Sequence, residues 1–197
     1  MSFISAGRQE RRTRITDPKA LRALAHPLRL ALLDRVMSFG EQTAAQCAAA
    51  VGSTTSNCSY HLRALARVGL VERGESADGR ERPWRSSSTG LEFGPEDAAD
   101  SRSSTAAARA VDELALARDE ELTRRALARH DTQPSEWRAV ETHNSYALRL
   151  TPRELSQLVG EIDRLVRPYI GLTRNEAPDD ADAAYLRLLA FRHPDAG

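Results

Sequence analysis

From Thr43 the chain reads TAAQCAAAVGSTTSNCSYHLRALARVGLV, two short helical stretches that meet at Gly52, the one glycine between them. Nothing else in the sequence restricts the fold as tightly. Glycine enters left-handed backbone without the steric cost that a Cβ imposes, so the chain can reverse there within a few residues. Ala48 and Val51 before the glycine, with Cys58, Leu62 and Leu65 after it, have the spacing that lets two short helices pack at a wide angle. Thr54 stands where a hydroxyl can cap the second helix. With its apolar side turned inward, that helix presents Thr55, Ser56, Ser59, Tyr60 and Arg63 outward, all hydrogen-bonding and none bulky and purely apolar. Such a face suits base edges and phosphates.

The flanking segments extend this motif. Asp17-Pro18 reads as a helix start, a capping residue followed by proline at the first turn, with Leu21 and Leu24 on one face. His26-Pro27 breaks that helix and starts another, whose stripe of Leu28, Leu32, Leu33, Val36 and Met37 ends at Gly40. On the other side, Gly69 closes the second helix of the pair. Leu70 to Arg73, then SADGR, then RERPWRSSS read as two strands around an Asp-Gly turn, a wing with Arg80, Arg82 and Arg85 on or just past its tip. From there the three guanidinium groups can reach the backbone phosphates beside a groove.

The sequence divides into four regions: a flexible basic arm over 1–16, a helix-pair-and-wing domain over 17–90, a linker rich in Ser, Gly and acidic residues over 91–104, and a helical and mixed region over 105–197. The last opens with a helix from about Thr105 to His130, whose imperfect apolar side of Val111, Leu114, Leu122 and Leu127 packs on a partner subunit or on its own chain. Tyr146, Leu148 and Leu150 alternate as in a strand. Thr151-Pro152-Arg153-Glu154 is a capping box, and Leu155, Leu158, Ile162, Leu165 and Tyr169 carry a helix to about Gly171. The stretch AAYLRLLAF reads as one more strand. The expected class is therefore mainly α with a small β content (α+β), ending in a strand-helix-strand unit.

Charge supports the division. The chain of 197 residues has a formal net charge of zero, yet residues 1–90 hold 14 Lys and Arg against 8 Asp and Glu, a net of +6, and residues 91–197 hold 14 against 20, a net of −6. A basic module joined to an acidic one is what a nucleic-acid-facing part and a separate second part would show. No run reaches the roughly 18 apolar residues of a membrane span, and the polar start MSFISAGRQERR lacks a signal-peptide core, which points to a cytoplasmic protein with no membrane partner. A Gly-rich phosphate loop, a nucleophile elbow and a His-Glu metal motif are all absent, so the chain does not read as an enzyme and implies no cofactor.

The stretches ALAHPLRLALLDRV, AAAVGSTTSNCSYHLRALARVGLVERG and GRERPWR together resemble the winged helix-turn-helix repressors of the arsenic-resistance regulator (ArsR) type, over about residues 17 to 90. The C-terminal part, from Trp137 through LTPREL to AYLRLLAF, is similar to the extended region of some actinobacterial members. The resemblance implies a homodimeric transcriptional regulator, a repressor, that binds a palindromic operator in double-stranded DNA. It also implies that the helix beginning near Thr54 enters the major groove, so that Thr54, Thr55, Ser56, Ser59, Tyr60 and Arg63 join the wing residues Arg80, Arg82 and Arg85 as DNA contacts.

Many members of that family sense metals, and here the sequence departs from them. Cys47 falls where the pattern carries a core Leu and Cys58 where it carries a core Val, so both read as small buried hydrophobes, with a redox switch between the two helices as the alternative. His61 reads as a structural hydrogen-bonding residue. His130, His143 and His193 lack ligand spacing, so no metal site is expected, with a metal-sensing repressor kept as an alternative beside the redox-sensing one. A winged helix used only for protein contacts is the further alternative, which Tyr60, Arg63 and the wing arginines oppose. The effector ligand is left open.

Overall fold

A computed structural model describes residues 12–15, 17–75, 82–88, 90–93, 102–170 and 178–195. Helix α1 (Pro18–Leu24) begins where Asp17 caps it, its carboxylate accepting from the Lys19 N–H. Helix α2 (Pro27–Phe39) begins on His26 and stops at Gly40, which has φ +70°. Both starts place proline in the first turn, where its missing N–H costs no helical hydrogen bond.

Helix α3 (Ala44–Val51) opens with a capping box between Thr43 and Gln46, and it ends on Gly52 in the left-handed conformation, φ 65° and ψ 41°. The N–H groups of Gly52 and Ser53 both donate to the carbonyl of Ala48, which tightens the reversal. Helix α4 (Thr55–Ala66) then crosses α3 and lies against α2. Burial follows most of the expected stripes: Cys47 and Ala48 of α3 and Cys58, Leu62 and Leu65 of α4 join Leu21, Leu24, Leu32, Leu33 and Val36 in one core, with Val51, Leu28 and Met37 only partly buried at its edge. Each leucine so buried stabilises the domain by about 1.5–3 kcal/mol relative to an exposed one.

Strands β2 (Val71–Arg73) and β3 (Trp84–Ser86) pair antiparallel in the register Val71↔Ser86, Glu72↔Arg85 and Arg73↔Trp84. Gln42 adds a bridge on the far side of Trp84, through reciprocal N–H···O bonds of 2.9 and 2.7 Å. The buried Trp84 ring thereby seals the wing onto the connection between α2 and α3, with the Arg73 guanidinium 3.8 Å above it. Residues 76–81, which include the expected Asp-Gly turn and Arg80, lie outside the described residues.

Two expectations are corrected. Residues Arg12–Ile15, expected within a flexible arm, form strand β1, which pairs in parallel with β4 (Gly90–Phe93), itself overlapping the expected linker. Ile15 is the physical reason for the seating: it is buried in the core and anchors the strand. The second correction concerns the C-terminal strands. Tyr146, Leu148 and Leu150 are exposed, Tyr146 to 77%, and neither they nor the stretch from Ala183 to Phe191 form a ladder. Alternation alone makes no strand without a neighbouring strand to satisfy its backbone groups.

The part of the chain after β4 carries helix α5 (Arg102–Arg129), helix α6 (Ser135–Val140) and helix α7 (Pro152–Val166), the last opened by the capping box of Thr151 and Glu154. The first half of α5 packs through Ala107, Ala108 and Val111 on α1 and α2, and Arg118 ties it to Asp34 of α2 at 3.1 Å. Farther along, Leu127 is exposed. Tyr185 and Arg187 both engage the Asp119 carboxylate, laying the C-terminal segment along α5. The class is thus mainly helical with a small β content. Among the described residues no helix is long and apolar enough to cross a membrane.

Candidate nucleic-acid interface

Helix α4 has two unlike sides. Cys58, His61, Leu62 and Leu65 face the core, and the opposite side carries the exposed Thr55, Ser56, Tyr60 and Arg63, with Ser59 half-buried at its margin. Tyr60 is 57% exposed. Thr54 is the N-cap, its hydroxyl accepting from the Asn57 N–H at 3.2 Å. Its side chain is therefore occupied with helix initiation, and the first turn points its remaining backbone N–H groups outward. That end of the helix carries partial positive charge suited to an anion.

One residue of this surface escaped the sequence reading. Asn57 is exposed in the first turn, and its side-chain amide donates to Ser53 Oγ at 3.0 Å. The signal was its place one residue before the buried Cys58, which puts it beside Ser53 and Thr54 at the helix mouth. An amide so placed offers both donor and acceptor to a base edge.

The wing arginines separate into different roles. Arg82 is exposed, and among the described residues its guanidinium has no acidic partner. Its backbone carbonyl accepts from Arg73 Nη1, which ties the segment just before β3 to β2. Arg85 is held instead: Nε donates to Glu72 Oε1 at 2.8 Å, Nη1 lies 3.4 Å from Glu41 Oε1, and only 24% of the side chain is exposed. These carboxylates, Glu72 first, raise its already high pKa. Arg85 thus fastens the wing to the α2–α3 connection.

The thiols of Cys47 and Cys58 are free and fully buried. Burial, and after it the neighbouring Cys58, pushes the Cys47 thiol up to about 11; burial also raises Cys58, against the opposing hydrogen bond with Ser53. Thiols of this kind behave as core hydrophobes. Among the described residues no three of His, Cys, Asp and Glu gather as metal ligands would.

Residues 24–74 match the model of a family described as a helix-turn-helix domain. The match begins in α1 and ends just after β2, so it includes both helices that meet at Gly52. Among solved structures, the chain is similar to the homodimeric winged helix-turn-helix DNA-binding domain (fragment 1–100) of a possible ArsR-family transcriptional regulator from Mycobacterium bovis. That likeness has 26% identity, covers 53% of this chain and 79% of that one, and has a TM-score of 0.34. No curated protein matches the chain.

Proposed function

We propose that this chain, whose residues 24–74 match a helix-turn-helix domain, is a cytoplasmic ArsR-type regulator that represses transcription by binding a palindromic operator as a homodimer. The observation that carries the reading is the split character of α4: a buried inner side of Cys58, Leu62 and Leu65 with one polar residue, His61, against an exposed outer face of Thr55, Ser56, Tyr60 and Arg63. An α-helix of this kind fits the major groove, where hydrogen-bonding side chains distinguish base pairs.

The division of labour follows from chemistry. Tyr60, Arg63 and Asn57 read base edges, while the α4 N-terminus and the exposed Arg82 neutralise phosphates and set the register. Arg80 is proposed for the same phosphate role on its charge and its place in the sequence beside the expected Asp-Gly turn. Arg85 holds the wing at the height from which Arg82 reaches the backbone. Two copies of α4 about 34 Å apart would address successive turns of one duplex face.

The test is selection of duplexes from a random-sequence pool by the full chain, followed by mobility shift of the selected DNA at about 50 and 200 mM salt. Sequence-selective binding that weakens steeply with salt is expected, because each neutralised phosphate releases counterions. Retention of no duplex at the lower salt concentration overturns the proposal.

A further inference from the structure

The two motifs that frame the helix pair, Ala-His-Pro before α2 and Ser-Tyr-His-Leu within α4, meet in space through their histidines. The rings of His26 and His61 lie 4.5 Å apart between centroids, tilted by 39°. His26 is the N-cap of α2, its Nδ1 accepting the Leu28 N–H at 3.1 Å. That bond requires an unprotonated Nδ1, so the ring is neutral while the cap exists. His61 is buried, 8% exposed, and its Nδ1 has no hydrogen-bonding partner. Its other neighbour is Tyr60, set edge-on at 5.2 Å and 83°. An unbroken line of contacts therefore runs from the first turn of α2, through two imidazoles, to the exposed Tyr60 of the proposed groove-facing surface.

The surroundings oppose a positive charge on either ring. Arg29 of α2 is pinned beside them by the backbone carbonyls of Arg22 and Ala23 at the end of α1. From α4 the facing titratable groups are Tyr60 and His61 itself. Among the described residues the charges acting on the pair are Arg29 and the imidazoles; no carboxylate is among them. Burial first and Arg29 next push His26 below its ordinary value, and burial, His26 and Arg29 in that order do the same to His61.

We propose that His26 and His61 form a proton-sensitive latch, which fixes the recognition helix against the α1–α2 corner when both rings are neutral and releases it on mild acidification, lowering operator affinity. A protonated His26 has two N–H donors and can no longer cap Leu28. It would also set a cation against the positive end of α2, Arg29 and the second ring. All these effects push the rings apart. The expected sign is distinctive, because added positive charge ordinarily strengthens DNA binding.

This latch rests on the DNA-binding reading only for its consequence, and the test separates the two. The full chain is titrated from pH 8 to 5 by NMR, alone and with a duplex selected at pH 7.5, beside the H26N/H61F variant. The asparagine of H26N keeps a capping oxygen and the phenylalanine of H61F keeps the ring contact, but neither titrates; H26N alone serves if the double variant fails to fold. In the wild type both imidazoles are expected to titrate below 6.5, with the Leu28 amide and the α4 amides shifting together. Affinity for the duplex should fall several-fold between pH 7.5 and 5.5, while the variant stays nearly constant. Imidazoles that titrate independently of the Leu28 amide, or equal pH profiles for the two proteins, overturn the latch. Failure to bind any duplex at any pH removes the DNA reading, and the amide titration then decides the latch by itself.

Discussion

Arg85 and Glu72 face each other across the wing, Nε to Oε1 at 2.8 Å, in a register that leaves Arg82 facing solvent. Two arginines three residues apart thereby acquire different work, one holding the hairpin and one available to a phosphate.

Arg82→Ala is expected to weaken DNA binding almost uniformly across sequences and to reduce the salt slope by about 1, the mark of one lost phosphate contact. Arg85→Ala should instead lower folding stability by at most about 1 kcal/mol, since Glu72 is well exposed and water screens the pair. Salt-series binding curves and urea unfolding of both variants check the contrast. Equal salt slopes for the two variants would refute it.

Arg63→Ala removes a proposed base contact at an exposed position. Loss of about 1–3 kcal/mol in specific binding is expected, with relaxed preference at one operator position. Thermal unfolding should stay within about 0.5 kcal/mol of wild type, as for surface changes generally.

Gly52→Ala probes the reversal between α3 and α4. Nothing lies within 4 Å of the added Cβ, so the cost is backbone strain at φ +65° alone, about 1–2 kcal/mol. Urea unfolding measures it, and an unchanged midpoint would show that the turn relaxes at no cost.

Cys47, with its thiol pushed up to about 11, should be roughly 0.1% thiolate at pH 8. A thiol reagent is expected to modify the native protein only as fast as the domain opens, and both cysteines promptly in denaturant. Rapid labelling of the native fold would contradict the packing.

Folding stability should depend on pH through His26 and His61. Both are held below their ordinary 6.5 in the folded chain, so the unfolded chain binds more protons between that value and the folded pKa. Their contribution is complete above 6.5 and is lost as pH falls through the folded values. Urea midpoints at about pH 7.5 and 5.0 should differ more in wild type than in H26N/H61F.

What could be read from the residues was what local chemistry decides. Asp17-Pro18, Thr54, Gly52 and the capping box at Thr151 and Glu154 each act within one helical turn, and each helix starts or stops where they stand. Pairings between distant segments were not legible. The short polar RTRI becomes a strand only because Gly90–Phe93 lies beside it. Tyr146, Leu148 and Leu150 have the right alternation and no such neighbour. The candidate contacts on α4 could be named because helical periodicity assigns their face. Which wing arginine is held depends on cross-strand register, and the meeting of His26 with His61 on a tertiary crossing, neither of which spacing along one segment contains.

Because β1 and β4 run in the same direction, everything between them is a single crossover connection, and the two-stranded pair closes only after that excursion is in place. Loop closure of this span is entropically costly and slow. The pair is therefore a late seal in folding rather than a nucleus, and its opening would part Arg12–Ile15 from Gly90–Phe93 while the helices between them keep their shared core.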